Sequence, residues 1–329
     1  MVSWNGLCPI RPEGHAVNER FADLGAPRRI WAVACINGDI DRLAALHDHL
    51  ARRFGLRDRI VYLGNYLGAH AGANAEVIDE LLAFRAAILA KPGIEASDIV
   101  YLRGPAEEAW QRLLRLQFAP VPAQALDKLL AAGVESWLRL YGVSLNDTRS
   151  MARAGSMAIT RWTNQLRGLQ RMMPGHEALV CGMRRTAFSR PSSEPPYKKV
   201  LFVPAGFDPL RTLDDQGDGL WWPTTAFAAG GMAQETYVRV VRGFDAANGG
   251  LNLENSATTL DAGCGRGGAL VCGGFTPNGQ LADLVTVGGA SALDGTPFAP
   301  AEDEDFTTLG EPDSAGAALP PEYRFAATA

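Results

Sequence analysis

The chain has 329 residues, 47% hydrophobic and 20% charged, with a net charge of -5. This is an ordinary globular composition, with room for one large domain or two small ones. The acidic balance and the lack of a long basic run give no sign of a phosphate-backbone binder, and five scattered cysteines without a Cys-x-x-Cys pair do not make a disulfide framework or a zinc knuckle.

In chain order, residues 1–28 are polar and rich in Pro and Gly, and read as an irregular lead-in. Their start, "MVSWNGLCPIRPEGH", lacks a basic stretch followed by an apolar one, so no signal peptide is expected. No window is apolar for long enough to cross a membrane, and a cytoplasmic location is expected. "RRIWAVACINGDI" predicts a buried strand ending at Gly38-Asp39, and "DRLAALHDHLARRFG" predicts a helix stopped at Gly55. "DRIVYLGN" is a second strand, "NAEVIDELLAFRAAILA" a second helix closed by Pro92-Gly93, and "SDIVYLRG" a third strand. Strand and helix alternating at this spacing predict a parallel sheet flanked by helices.

The pattern then turns helical, through "EEAWQRLLRLQ", "AQALDKLLAAGVESWLRLYG" and "RWTNQLRGLQRMM", and predicts an inserted helical cap over about 106–190. "VLFVPAGFDP" returns to strand. "YVRVVRGFD", "SATTLDAG", "GALVCGGFT" and "QLADLVTVGG" predict further short strands between Gly-rich turns. Residues 291–329 are acidic and Pro/Ala-rich, carry few apolar anchors, and predict a flexible or surface-draped tail.

Six stretches stand in an order that resembles the calcineurin-like metallophosphoesterases, in particular the bacterial serine/threonine phosphoprotein phosphatases. "INGDIDRLAALHDHL" resembles the opening Gly-Asp-x-His-Gly motif. "VYLGNYLGAH" resembles the Gly-Asp-Tyr-x-Asp-Arg-Gly motif, and "YLRGPAEEAW" the Arg-Gly-Asn-His-Glu motif. "LFVPAGFDPLRTLDDQGDGLWW" resembles the Val-His-Ala-Gly-x-x-Pro stretch, "VVRGFD" stands where Gly-His-Thr belongs, and "TTLDAGCGRGGAL" resembles the closing Leu-Asp-Thr-Gly. The resemblance covers residues 29–290. It implies a two-sheet β-sandwich α/β core with flanking helices in four layers and the helical cap inserted.

The resemblance also implies a pair of metal ions held by Asp, His and Asn, with a metal-bound hydroxide attacking phosphorus. Asp39 is kept. Asp41 stands where the next His belongs, and Asn65 where the bridging Asp belongs. Gly68 and Ala69 replace the Asp and Arg of that motif, Pro105 and Ala106 the Asn and His of the third, and Pro204 and Phe244 the later histidines. A catalytic site of the zinc type needs about three protein ligands plus an open position. Asp39, Asp41 and Asn65 are a vestigial set, fit for at most one weakly held divalent ion, so no resident cofactor and no catalytic residue are expected. Phe244 is expected to turn into the vacated space, with Pro105 and Pro204 stiffening the strand ends. Asp39 is expected to find partners in the turn after Gly64 or in the Asn65 amide.

Plain structural roles stand beside these. Asp39 fits a helix cap and Asp41 a first-turn acid. His47 and His49 fit a helix surface, His15 and His176 structural positions, and His70 the role of a rescue ligand. Arg103 and Arg242 fit an anion-binding lining, or ion pairs with tail acids. Trp221-Trp222 fit core packing under the sheet, or, if exposed, a partner-binding anchor. The leading expectation is a catalytically dead phosphatase fold acting as a binding, scaffold or regulatory subunit, with another protein as partner. Nucleic acid and membrane insertion are not expected, and no residue pattern points to an oligomeric state. The rivals are a residual single-metal phosphoesterase, acting on a phosphoprotein or nucleotide, and a non-hydrolytic sensor of a phosphorylated ligand.

Overall fold

The computed structural model describes residues 20–68, 74–190, 198–223, 227, 236–253 and 256–288. Ala69, His70, His15 and the acidic tail at 291–329 lie outside the described residues, as does most of the lead-in.

Alternation of buried apolar runs with amphipathic helices gives the first half of the chain. β1 (Phe21–Asp23) precedes β2 (Arg29–Val33), α1 (Ile40–Arg53), β3 (Asp58–Tyr62), α2 (Asn74–Leu89) and β4 (Ile99–Tyr101). Helices then run from α3 (Pro105–Leu113) through α4 (Pro122–Ala131), α5 (Glu135–Leu140), α6 (Leu145–Met151) and α7 (Ser156–Met172) to α8 (His176–Gly182). β5 (Thr186–Phe188), β6 (Lys199–Val203), β7 (Tyr237–Arg242), β8 (Ala257–Thr259), β9 (Leu270–Phe275) and β10 (Leu281–Val287) follow.

Among the described residues the strands make two mixed five-stranded sheets, ordered β10-β9-β2-β3-β4 and β1-β5-β6-β7-β8. β2, β3 and β4 are parallel, as are β6, β7 and β8. β9 and β10 extend the first sheet antiparallel, and β5 runs antiparallel to β6. The sandwich core lies between the sheets, where Ile30, Ala32, Val61, Leu63 and Phe275 of the first meet Val200, Phe202 and Val241 of the second. Trp31, Val33, Tyr62 and Tyr101 cover the other face of the first sheet and pack under the helices. Leu201, Val203 and Val240 cover the outer face of the second, under Phe207, Leu220 and Trp221. Helices pack on the first sheet, and the 207–222 segment, with a single short 3-10 turn at Gly217–Leu220, packs on the second.

Two expectations are corrected. The helical stretch ends at Gly182, and the last residues of the expected insert form β5, because Thr186 and Ala187 are wholly buried in the second sheet. His47 is not on the surface. It falls on the α1 stripe formed by Leu43, Leu46 and Leu50, and is 1% exposed. Its ring stacks on Phe84 at 3.9 Å, its Nδ1 lies 2.6 Å from Glu80 Oε1, and its Nε2 lies 2.9 Å from the Tyr62 hydroxyl. His49 is exposed, as expected.

Burial lowers the His47 pKa, against the opposing pull of Glu80. A histidine whose folded pKa lies below its unfolded one stabilises above the unfolded value and loses that contribution as pH falls. Denaturant unfolding should therefore show stability declining as pH drops below about 6.5. His47→Phe should be less stable near neutrality, because the Tyr62 hydroxyl loses its partner, and its decline with acid should be shallower. His176, also lowered by burial, keeps the variant from being flat. An acid slope identical to that of the native chain would show that His47 does not titrate with unfolding.

Candidate functional site

The turns leaving β2, β3, β4, β6 and β7 converge at the C-terminal ends of the parallel strands. They are held there by main-chain bonds. Ile36 N and Asn37 N donate to Asn65 O at 3.1 and 2.9 Å, and Gly38 N donates to Tyr66 O. Cys35 N donates to Gly243 O, and Gly243 N and Phe244 N both donate to Pro204 O. The approach is close: a Cβ on Gly68 would lie 1.9 Å from Asn37 O, and one on Gly104 would lie 2.4 Å from Asn65 N. Only glycine fits at such contacts.

Asp39 caps α1. It has extended backbone, and its Oδ1 accepts from Arg42 N at 3.1 Å. Its Oδ2 pairs with the Arg42 guanidinium. The partners are thus Arg42 twice over, and not the turn after Gly64 or the Asn65 amide; a cap bonds locally to the third residue of its own helix. Asp41 is an exposed first-turn acid. Asn65 is buried in left-handed backbone (φ 53°), and its Oδ1 accepts from Ala106 N at 3.3 Å. Asp39 and Asp41 line a shallow cleft with Asn37, Gly38, Arg42 and Gly265. Among the described residues no three His, Cys, Asp or Glu side chains are grouped so as to hold a metal ion. The donor set does not fit a metal pair: one carboxylate is neutralised by Arg42, one faces solvent, and the amide oxygen is already used.

Pro105 opens α3 at its first turn, and both Pro105 and Pro204 are buried. Phe244 is half-buried, with the Arg266 guanidinium 5.8 Å from its ring centre. Arg103 and Arg242 each have an acid beside them. Arg103 pairs with Glu108 at 3.2 Å. Arg242 pairs with Asp245 at 3.0 Å, donates to Thr259 Oγ1 and stands over the Phe227 ring.

Glu107, absent from the sequence-based candidates, is the central side chain of this region. Its Oε2 accepts from Asn65 N at 2.8 Å and Gly104 N at 2.9 Å, and its Oε1 accepts from Tyr66 N at 3.2 Å. Burial raises its pKa, and the backbone N–H groups pull it back down. The signal was present: Gly104-Pro105 followed by an acid at the third helical position is a capping pattern.

No family model matches the chain, and no curated protein matches it. Among solved structures it is similar to a "putative diadenosine tetraphosphatase" at 17% identity and a TM-score of 0.43, over 82% of this chain and 98% of that one. It is similar to a protein serine/threonine phosphatase from Saccharomyces cerevisiae at 12% identity and 0.42, over 83% and 85%. It is also similar to the cold-active protein-tyrosine phosphatase of a psychrophile, Shewanella sp., at 12% identity and 0.41, over 85% and 87%. The activities named are those of the matched proteins.

Glu107→Gln should lower unfolding stability by about 1–3 kcal/mol, because an NH₂ group would face backbone N–H donors that now meet an oxygen. Equal denaturation midpoints for variant and native chain would show that the three bonds carry no net weight.

Proposed function

We propose that this chain acts by binding, as a scaffold or regulatory subunit built on a metallophosphoesterase-type sandwich, without metal-dependent hydrolysis. The partner in this reading is another protein. The observation that carries it is the Asp39 carboxylate, with one oxygen on Arg42 N and the other on the Arg42 guanidinium. A fixed guanidinium already supplies the positive charge that a metal would bring to this turn. Asn65, the other retained donor, gives its side-chain oxygen to Ala106 N. Two-metal hydrolysis needs anionic ligands converging on ions about 4 Å apart. Pro105, Ala106, Pro204 and Phe244 offer no such ligand.

Metal analysis of the purified protein, with p-nitrophenyl phosphate turnover assayed in Mn²⁺, tests this reading. The expected outcome is no turnover above background. EDTA should also move the melting temperature by less than about 1 °C, since only ligands that prefer the native state stabilise it. Mn²⁺-dependent turnover that is lost in Asp39→Asn, a change that keeps a capping side chain, would overturn the proposal. It would favour a one-metal enzyme on Asp39, Asp41 and Asn65.

A further inference from the structure

A second cluster lies away from the Asp39 turn, at the seam where the two sheets meet. Leu102, after β4, bridges to Arg184, just before β5, and Arg103 N donates to Arg184 O at 2.8 Å. Trp221 closes the seam, with its Nε1 donating to Arg103 O at 2.8 Å. Three guanidiniums surround this one buried indole: the Cζ atoms of Arg185, Arg103 and Arg112 lie 5.4, 5.9 and 6.0 Å from its ring centre. Arg112 also stands 4.7 Å from the Trp222 ring centre. Burial lowers the Arg103 pKa; Glu108 opposes this, and Arg185, Arg115 and Arg184 push it further down.

Two carboxylates answer these five arginines. Glu108 bridges Arg103 and Arg112 at 3.2 and 3.0 Å. Asp218 reaches Arg112 from a side chain that is 63% exposed. Among the described residues, three buried donors have no hydrogen-bond partner, Arg103 Nε, Arg185 Nε and Trp222 Nε1, beside one buried acceptor, Glu108 Oε2. Buried donors without acceptors are costly, and like charges held this close repel. In a chain of net charge -5, such a local excess of cations is not part of a generally basic surface.

We propose that the Arg103–Arg112–Arg185 cluster around Trp221 is an anion-binding site that takes a phosphoryl group. A phosphoryl dianion presents three acceptor oxygens, which suits forked guanidinium donors arriving from several directions better than a two-oxygen carboxylate or a monatomic ion does. The indoles wall the site and keep water from competing. Asp218, exposed and held only at the rim, occupies Arg112 and leaves when the ligand arrives. None of these residues lines the cleft at Asp39, so the site stands whether or not that turn holds a metal.

Calorimetric titration of the full-length chain with inorganic phosphate, in chloride buffer at fixed ionic strength, tests the site. Saturable binding is expected. Arg185→Gln, which breaks no side-chain hydrogen bond among the described residues, should weaken it by about tenfold or more. Asp218→Asn should tighten it, since Arg112 loses its competing carboxylate. Phosphoserine and adenosine monophosphate, titrated next, separate protein-borne from nucleotide-borne phosphate, and tighter binding of either supports the site. No saturable binding of inorganic phosphate would overturn the proposal, as would affinities unchanged in both variants.

Discussion

The Glu107 carboxylate ties the ends of β3 and β4 into one rigid corner. Its two oxygens take the N–H groups of Asn65, Tyr66 and Gly104, which would otherwise be buried donors in turns too tight to bond to themselves. A buried carboxylate pays a desolvation penalty, and charge-assisted bonds to several backbone amides are what offset it. With that corner fixed, the Asn65 carbonyl can receive Ile36 N and Asn37 N, which positions the turn after β2 and hence the start of α1. The Asp39 cap follows from this placement.

The chemistry at the strand ends follows from how each charge there is matched. Arg42 answers Asp39, Arg242 answers Asp245, and Arg266 answers Asp261 with two bonds. Asp245 and Asp261 are themselves linked, because Asp245 N donates to an Asp261 oxygen at 3.0 Å. Each carboxylate has a cation and backbone donors of its own. A pairing of that kind stabilises the loops as a set, and an added dication would have to compete with a guanidinium already paired to each carboxylate.

Much of this fold was legible because its signals are local. Val61-Tyr62-Leu63 before Gly64, and Leu43, Leu46 and Leu50 at helical spacing, fix strand and helix without reference to anything distant. His47 was misplaced because its residue type was weighed above its position. Four residues after Leu43 and three before Leu50, it lies on the buried stripe whatever its polarity. β1 and β5 were missed for a different reason. Each has three residues and depends on distant pairing, Phe21–Asp23 with Thr186–Phe188 across about half of the chain and β5 also with β6, registers with no local signature. In the candidate site, Asp39 as a cap could be read directly. Glu107 could not be read as a clamp from residue type alone, since its three partners come from two turns.

The two groups of arginines separate structural charge from available charge. At the strand ends, one carboxylate meets each guanidinium. At the Trp221 seam the match fails. Glu108 serves two arginines, Asp218 is at the surface, and Arg185 makes no ion pair among the described residues and shares only the field of Asp218. Electrostatic work done on a ligand comes from charge the fold has not already spent. The same strand ends that bring motif-like residues to one place in the sequence therefore offer little to a phosphate, while the seam beside them, built from the residue before Gly104 and a tryptophan pair far along the chain, offers a great deal.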